Sequence, residues 1–150
     1  MRAVVTRVSR ASVSIGGAVC GRIGTGYLVL LGVGPRDTEE TAGKLADKIC
    51  NLRIFADDAG KTNLALKDVG GGVLIVSQFT LFANCRHGNR PSFTDAAGAE
   101  QATRLYEHVC ALAERDLGAK RVGRGIFGAD MRVSLVNDGP FTVVLDTDSL

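Results

Sequence analysis

Two short runs of consecutive apolar residues limit the folds that this chain can adopt. Residues 27–31 read YLVLL and residues 73–76 read VLIV, and a glycine precedes each run. A strand that is apolar on both faces is usually covered on both faces, as at the centre of a sheet in an α/β protein. The chain is therefore expected to contain a sheet with a further layer packed against each side.

Two amphipathic patterns predict the helices that cover one side. Apolar residues recur at i, i+3, i+4 and i+7 in Ala42, Leu45, Ala46 and Ile49. This pattern predicts a helix of about thirteen residues, and Asp37 and Glu40 have the spacing of a capping box at its start. A second pattern predicts a helix over residues 99–117, which Gly118 ends.

Shorter segments predict the remaining strands. Residues 3–23 read as two or three strands with a turn at Gly16-Gly17, and residues 52–55, 131–136 and 141–145 read as further strands. Two helices cannot cover both faces of so many strands, so we expect a second, smaller sheet on the side opposite the helices. The predicted fold class is α/β: one domain over residues 1–150 with three layers, α/β/β, in which two main helices pack on a mixed β-sheet.

The stretch NDGPFT, residues 137–142, is unusual at a strand boundary. Asn-Asp-Gly between strand-like runs is typical of a tight hairpin turn. Pro140, however, has no N–H to donate to a sheet ladder, and Gly139 alone would have sufficed for the turn. The residues by themselves leave two interpretations open: an ordinary turn at a sheet edge, or a segment with a function.

Composition restricts the class of protein only loosely. Hydrophobic residues make up 45% of the chain, charged residues 23%, and the net charge is +2. No apolar run approaches the ~20 residues needed to span a bilayer, and the N-terminal MRAVVTRVSR lacks the apolar region of a signal peptide. We therefore expect a cytoplasmic protein without a membrane partner, and the charge balance permits a nucleic-acid partner without requiring one.

Basic residues and cysteines give weaker signals. Two loops gather cations, Arg86, His87 and Arg90 in one, and Lys120, Arg121 and Arg124 in the other. From charge alone, a solvated surface is the favoured interpretation of both. The four cysteines are widely spaced and form no C-x-x-C pair, so the sequence predicts neither a disulfide framework nor a zinc site.

Polar residues follow the second apolar run directly, in Ser77-Gln78-Phe79-Thr80. The end of a buried strand is a rigid place for a site: Ser77 and Thr80 carry hydroxyls, and main-chain N–H groups at the bend could stabilise an oxyanion. A nucleophilic hydroxyl normally needs a base, however, and neither histidine of the chain belongs to a recognisable triad. From these residues alone, a strand end with a capping hydroxyl is the favoured interpretation.

Several spaced motifs are similar to the signature blocks of one family. SQFTLF (77–82), GNRPSF (88–93) and GADMRVSLVNDGPFT (128–142) resemble blocks of the D-aminoacyl-tRNA deacylases, as do MRAVVTRVSRASVSI and GYLVLLGV. The resemblance runs in order over essentially the whole chain. It implies a homodimeric hydrolase of the ester between a D-amino acid and tRNA, with a three-layered α/β/β fold and no metal or other cofactor.

The resemblance also implies roles for particular residues. Gly139-Pro140 would carry a cis peptide bond and reach into the pocket of the partner subunit, and residues 77–80 would line the floor of that pocket. Arg7 would brace the Gly-Pro segment, with Phe127 and Met131 close by. The resemblance leads us to expect a valine after the proline, where this chain has Phe141.

A steric argument connects the Gly-Pro segment with chirality. Rejection of the far more abundant L-esters requires a rigid wall, because contact with one methylene is worth only ~1–3 kcal/mol. With a cis bond, the carbonyl oxygens of Gly139 and Pro140 would face the same side and accept hydrogen bonds from the α-ammonium group of the substrate. A D side chain would then point to solvent and an L side chain would strike the wall. Glycyl-tRNA has no side chain to reject and should also be cleaved.

Two interpretations of the bond-breaking step remain open. Thr80 could attack the ester directly, or main-chain donors near Phe79 and Thr80 could hold the oxyanion while the terminal ribose hydroxyl or water attacks. We favour the second. Two functions remain as alternatives to deacylation. The first is a tRNA-binding or dimerisation module without hydrolysis, and the second is an esterase of small molecules.

Overall fold

The computed structural model describes residues 1–150 as eight strands and two main helices. The strands are β1 Arg2–Ile15, β2 Ala18–Ile23, β3 Gly26–Gly32, β4 Phe55–Ala56, β5 Thr62–Leu64, β6 Gly72–Ser77, β7 Val122–Arg124 and β8 Arg132–Asp146. The helices are α1 Glu39–Asn51 and α2 Ala99–Leu117, and short 3₁₀ helices lie at Phe79–Phe82, Ala119–Arg121 and Thr147–Ser149. Neither α1 nor α2 has the length and hydropathy of a membrane-crossing helix.

Six strands form one mixed sheet in the order β2-β1-β3-β6-β7, with β8 paired to β1. β3 runs parallel to β6, and β6 runs parallel to β7, whereas β1 is antiparallel to each of its three partners. The two apolar runs of the sequence form β3 and β6 at the middle of the sheet, where almost every residue is buried. These strands therefore have the covered position that their composition predicts.

The two faces of this sheet pack against different layers. One face meets both helices through Tyr27, Val29, Leu31, Val73 and Ile75. Their neighbours Leu28, Leu74 and Val76 point to the other face, because successive strand residues alternate, and pack with Val8, Ala11 and Val13. The large sheet curves until its end strands meet. A Cβ at Gly21 of β2 would lie 2.5 Å from the carbonyl oxygen of Arg124 in β7.

The predicted fold class is confirmed: an α/β fold with two main helices, a mixed sheet and a smaller second sheet. The far strands of the large sheet itself cover the face opposite the helices. The small sheet, β4 with β5, instead contributes Phe55 to the helix side, where its ring stacks on Tyr27 at a centroid distance of 5.3 Å.

The predicted strand over residues 52–55 is wrong except at its last residue. The carbonyl groups of Leu52 and Ile54 accept hydrogen bonds from the Tyr27 hydroxyl and from Arg7 rather than from a ladder.

The start of α1 differs from the prediction in its capping residue. Thr38, not Asp37, caps the helix: its Oγ1 accepts from the Thr41 N–H at 3.4 Å, and Thr41 Oγ1 accepts from the Thr38 N–H at 2.8 Å. Asp37 is buried, and its carboxylate accepts from the Gly34 N–H at 2.6 Å. The predicted role of Asp37 and Glu40 as a capping box was therefore wrong, because a carboxylate already bound by the preceding turn is unavailable to the helix.

The end of the chain is one long strand and not the hairpin that Asn-Asp-Gly predicts. Both halves of β8 pair with β1, and the register jumps from Thr6–Thr142 to Val8–Asn137. Arg7 is therefore the single residue of β1 opposite residues 138–141, which bulge out of the ladder. The Asn137 side chain stabilises the bulge by accepting the Phe141 N–H at 3.0 Å.

Candidate functional site

A cavity of about 330 Å³ opens where β6 ends. Its lining comprises Val76, Ser77, Gln78, Phe79, Phe127, Gly128, Ala129, Asp130, Met131 and Val133. The structure thus brings together the end of β6, the segment before β8 and the start of β8. Five of the residues singled out in the sequence meet here, whereas Thr80, Arg7 and the Gly-Pro segment are outside this lining.

Main-chain geometry at the end of β6 leaves two donors free. The Gln78 N–H donates to the Leu31 carbonyl at 2.7 Å, and the chain then turns into the 3₁₀ helix Phe79–Phe82. The first N–H groups of a helix have no partner within it. Those of Phe79 and Thr80 also take no part in the turn, loop and cap hydrogen bonds. They can donate to an oxyanion beside the cavity.

The side chain of Thr80 is held by its neighbour. The Gln78 amide Nε2 donates to Thr80 Oγ1 at 2.6 Å. No histidine or lysine lines the cavity, and its only ionisable side chain is that of Asp130. A strong base to activate a hydroxyl is thus absent from the lining. Asp130 escaped the sequence analysis, although it lies inside the block GADMRV, where Gly128 makes a left-handed turn with φ +76°.

Phe127 and Met131 each pack against the hydrophobic core and also line the cavity. The Phe127 ring packs on the helix-side core with its centroid 6.1 Å from that of Tyr106. Met131 packs against the second core cluster, and its sulfur would lie 2.6 Å from a Cβ at Gly125. Both side chains are therefore anchored in the core while they line the cavity.

The Gly139–Pro140 peptide bond is cis and lies at the tip of the bulge in β8. Arg7 holds this bulge: its Nε donates to the Asp138 carbonyl at 2.9 Å and its Nη1 to the Ile54 carbonyl at 2.6 Å. Gly139 has φ +139°, and a Cβ there would lie 2.9 Å from Arg7 Nη2. Any residue other than glycine would strain the backbone and press on Arg7.

Phe79 is unusually exposed for an aromatic side chain at a cavity. It is 54% exposed and Phe93 is 40% exposed, and their rings meet edge to face at a centroid distance of 5.2 Å. Phe93 belongs to the loop that precedes α2. This contact, which the sequence analysis missed, places that loop beside the cavity.

The cysteines lie apart from this site. Cys50 and Cys110 are buried, and burial raises the pKa of each thiol to about 12, while Cys20 and Cys85 are exposed. The chain contains no group of three His, Cys, Asp or Glu side chains that could hold a metal ion.

Two solved structures share this fold over nearly the whole chain. The c-Myc DNA unwinding element binding protein superposes with a TM-score of 0.92 at 40% sequence identity, and the match covers 97% of this chain and 98% of that one. A probable eukaryotic D-amino acid tRNA deacylase superposes with a TM-score of 0.85 at 17% identity, over 96% of this chain and 97% of that one. The second likeness shows the fold alone.

Sequence comparison gives full-length relatives. The D-aminoacyl-tRNA deacylase of Anaeromyxobacter dehalogenans is 58% identical over 150 residues, which cover 100% of this chain and 99% of that protein. The protein of the same name from Deinococcus radiodurans is 58% identical over 146 residues, 97% of this chain and 99% of that one. Residues 4–146 match the family described as D-Tyr-tRNA(Tyr) deacylase. The chain therefore belongs to the D-Tyr-tRNA(Tyr) deacylase family.

Proposed function

We propose that this protein hydrolyses the ester bond between a D-amino acid and tRNA and releases the free D-amino acid and the tRNA. The observation that carries the proposal is the family match over residues 4–146 together with the cavity that the matching segments enclose. The end of β6 and the block before β8 are far apart in the chain but line one concave surface. Such a surface with a few directed polar groups is the usual form of a substrate site.

The ester is proposed to lie with its carbonyl oxygen toward the N–H groups of Phe79 and Thr80. These groups are free, and they stabilise the negative charge that develops when the carbonyl carbon is attacked. The oxygen of a water molecule, assisted by the neighbouring ribose hydroxyl, bonds to the acyl carbon. The ester C–O bond then breaks, and the departing ribose oxygen takes up the proton that the attacking water releases. Positioning and charge stabilisation account for most of the acceleration of hydrolysis, because an aminoacyl ester is already reactive.

Direct attack by Thr80 is the less favoured route. Its hydroxyl oxygen already accepts a hydrogen bond from Gln78, and the cavity lining holds no histidine or lysine that could take its proton. An unactivated hydroxyl is a weak nucleophile. Thr80 is therefore proposed to hold the bend in shape and not to form a covalent intermediate.

Chiral selection is proposed to come from the Gly139-Pro140 segment of a second copy. The carbonyl oxygens of this segment accept hydrogen bonds from the α-ammonium group, which fixes the direction of the side chain. An L side chain then meets main-chain atoms, and a D side chain or the hydrogen of glycine does not. Two observations support action in trans: the segment projects from the sheet, and it does not line the cavity of its own chain.

The outer edge of β8 supports a homodimer. β8 extends over Arg132–Asp146 and pairs only with β1, so its other edge has no strand beside it. The exposed apolar side chains of β8 include Val144, which is 70% exposed, together with Leu135 and Val136. A long unpaired edge with exposed apolar residues is a surface that another chain can cover.

Hydrolysis of three charged tRNAs tests the activity and the selection together. Purified protein should release tyrosine from D-tyrosyl-tRNA and glycine from glycyl-tRNA, and leave L-tyrosyl-tRNA intact. Inertness toward D-tyrosyl-tRNA would exclude the activity. Cleavage of D-tyrosyl-tRNA without cleavage of glycyl-tRNA would exclude the steric account, because glycine offers nothing to reject.

Mixed dimers test whether the segment acts across subunits. Ala129→Trp fills the cavity and leaves the segment intact, and Gly139→Ala displaces the segment, since its Cβ would lie 2.9 Å from Arg7 and 3.1 Å from the Phe141 nitrogen. Each variant alone should be inactive. After the two are unfolded and refolded together, mixed dimers contain one complete site, and activity should return. Activity that stays absent although mixed dimers form would contradict action in trans.

A further inference from the structure

The loop between the 3₁₀ helix and α2 is closed at its base. Asn84 and Ser92 exchange both main-chain hydrogen bonds, at 2.7 and 3.0 Å. The Asn84 side chain accepts from the Arg86 N–H at 3.1 Å and donates to the Asp95 carboxylate at 3.2 Å. Residues 85–91 therefore project from a fixed base, and we name them the basic loop.

The basic loop has cations and no carboxylate. Its sequence, CRHGNRP, contains Arg86, His87 and Arg90, and every residue of it is exposed. None of these three side chains takes part in an ion pair within the chain. The charges of Arg86 and Arg90 are thus available to a partner.

The other group of basic residues is arranged differently. Arg124 donates to Glu114 at 2.5 Å and to Glu107 at 2.7 Å, so one of the three charges of this group is used within the chain. Of the two groups that the sequence contains, the basic loop alone keeps all its arginines free of ion pairs.

The basic loop also lies next to the candidate site. Phe93 immediately follows its base, and the Phe93 ring contacts Phe79, whose side chain lines the cavity. One pair of aromatic rings therefore separates the base of the loop from the place where the ester would be cleaved.

We propose that the basic loop binds the phosphates of the unpaired 3′ strand of the RNA that carries the aminoacyl ester. This inference rests on the proposed function. If the terminal nucleoside brings its ester into the cavity, the next phosphates of the strand lie just outside it. Guanidinium groups bind phosphate oxygens in bidentate fashion, and Arg86 and Arg90 are unpaired there.

Counterion release gives this contact a measurable signature. Each phosphate neutralised on a single strand contributes about −0.7 to the slope of log affinity against log salt concentration. The contact binds the strand in the ground state and in the transition state alike, so its loss raises KM and leaves kcat unchanged. Loss of both arginines should make the slope shallower by about 1.4.

The test uses the double variant Arg86→Ala/Arg90→Ala and a matched control, Arg115→Ala. Arg115 is exposed and unpaired near the far end of α2, about 24 Å along the helix from Ala99 at 1.5 Å per residue. KM for D-tyrosyl-tRNA is measured from 50 to 200 mM salt. The ratio of the KM of the double variant to the KM of the wild type should fall about sevenfold across that range. Arg115→Ala should behave as wild type, and Arg86→Lys/Arg90→Lys should retain most of the slope.

A second substrate and a binding assay keep this inference separate from the proposed function. The double variant should cleave D-tyrosyl-adenosine, which has no phosphates, at the wild-type rate. Binding of uncharged tRNA, followed by fluorescence, should show the same change of slope whether or not the ester is cleaved. An unchanged binding slope in the double variant would overturn the basic-loop proposal. Failure of the wild type to hydrolyse D-tyrosyl-tRNA, with a normal change of binding slope, would overturn only the proposed function.

Discussion

The guanidinium group of Arg7 lies 4.8 Å from the centre of the Phe141 ring, and it donates to the carbonyl of Asp138 on the other side of Gly139-Pro140. One side chain of β1 thus contacts the bulge before and after its tip. The register explains this contact, since Arg7 is the only β1 residue opposite residues 138–141. Phe141, the residue after the proline, has its packing partner here.

Replacement of Arg7 should loosen the bulge. Arg7→Ala removes two hydrogen bonds from a charged donor, and we expect the free energy of unfolding to fall by about 2 kcal/mol. The ratio of D-tyrosyl- to L-tyrosyl-tRNA hydrolysis should fall as well, because the wall loses its support. Denaturant unfolding and initial rates measure the two effects, with Arg115→Ala as the control. A destabilised variant with an unchanged chiral ratio would show that Arg7 serves stability alone.

Removal of the Thr80 hydroxyl should leave most of the activity. Thr80→Ala deletes one acceptor for Gln78 and keeps both main-chain N–H groups at the bend, so we expect kcat to stay within about threefold of the wild type. A nucleophile would behave differently, since loss of an attacking hydroxyl typically lowers kcat by several orders of magnitude. Steady-state hydrolysis measures kcat, and an acyl group trapped on Thr80 would overturn the main-chain mechanism.

A charge on the outer edge of β8 should separate the proposed dimer. Val144→Asp places a carboxylate in a surface that a second copy would cover, and burial of an unpaired charge is costly. We expect a folded monomer by light scattering, without activity on D-tyrosyl-tRNA. Ala111→Asp, at an exposed position of α2, is the matched control and should stay dimeric and active. A fully active monomer would contradict the completion of the site by a second copy.

Stability should fall in alkaline solution. Burial raises the pKa of Cys50 and Cys110 from 9.0 to about 12, so the folded chain keeps these protons where the unfolded chain loses them. The raised pKa of these thiols stabilises the folded state. This contribution is complete below pH 9 and is lost as the pH rises from 9 toward 12. The denaturation midpoint should therefore decrease between pH 8 and pH 11.

Thiol labelling provides the control for that prediction. At pH 8 the native protein should react rapidly at the exposed Cys20 and Cys85 and slowly at the two buried thiols. Rapid reaction of all four cysteines in the native protein would show that Cys50 and Cys110 are not protected, and the alkaline effect would then have another origin.

Local patterns predicted those parts of the fold that depend on local physics. The apolar run at residues 27–31 became an inner strand, and the second helix ends at Gly118, which has φ +91°. The NDGPFT stretch misled because its turn chemistry is local, whereas pairing of both flanking segments with the same strand is a long-range property. The same limit applies to residues 52–55, because the carbonyl groups of Leu52 and Ile54 accept hydrogen bonds from side chains distant in sequence.

The sequence likewise predicted only some of the residues of the candidate site. The motif at the end of β6 marked Ser77 and Gln78, and the family resemblance added Phe127 and Met131; all four line one cavity. Asp130 and the contact between Phe79 and Phe93 were missed, because neither follows from spacing in the chain.

The bulge in β8 lets one strand contribute to both layers of the core. Residues 138–141 lie between the Thr6–Thr142 and Val8–Asn137 pairs, and a second irregularity follows between Val8 and Arg10. On one side of the bulge Val143 and Leu145 pack on the helix-side core, whereas on the other side Val133 packs on the second core cluster. A change of register changes which face of the sheet a side chain occupies. Deletion of the bulge would therefore withdraw the Gly-Pro segment and also turn one half of β8 away from the core that it fills.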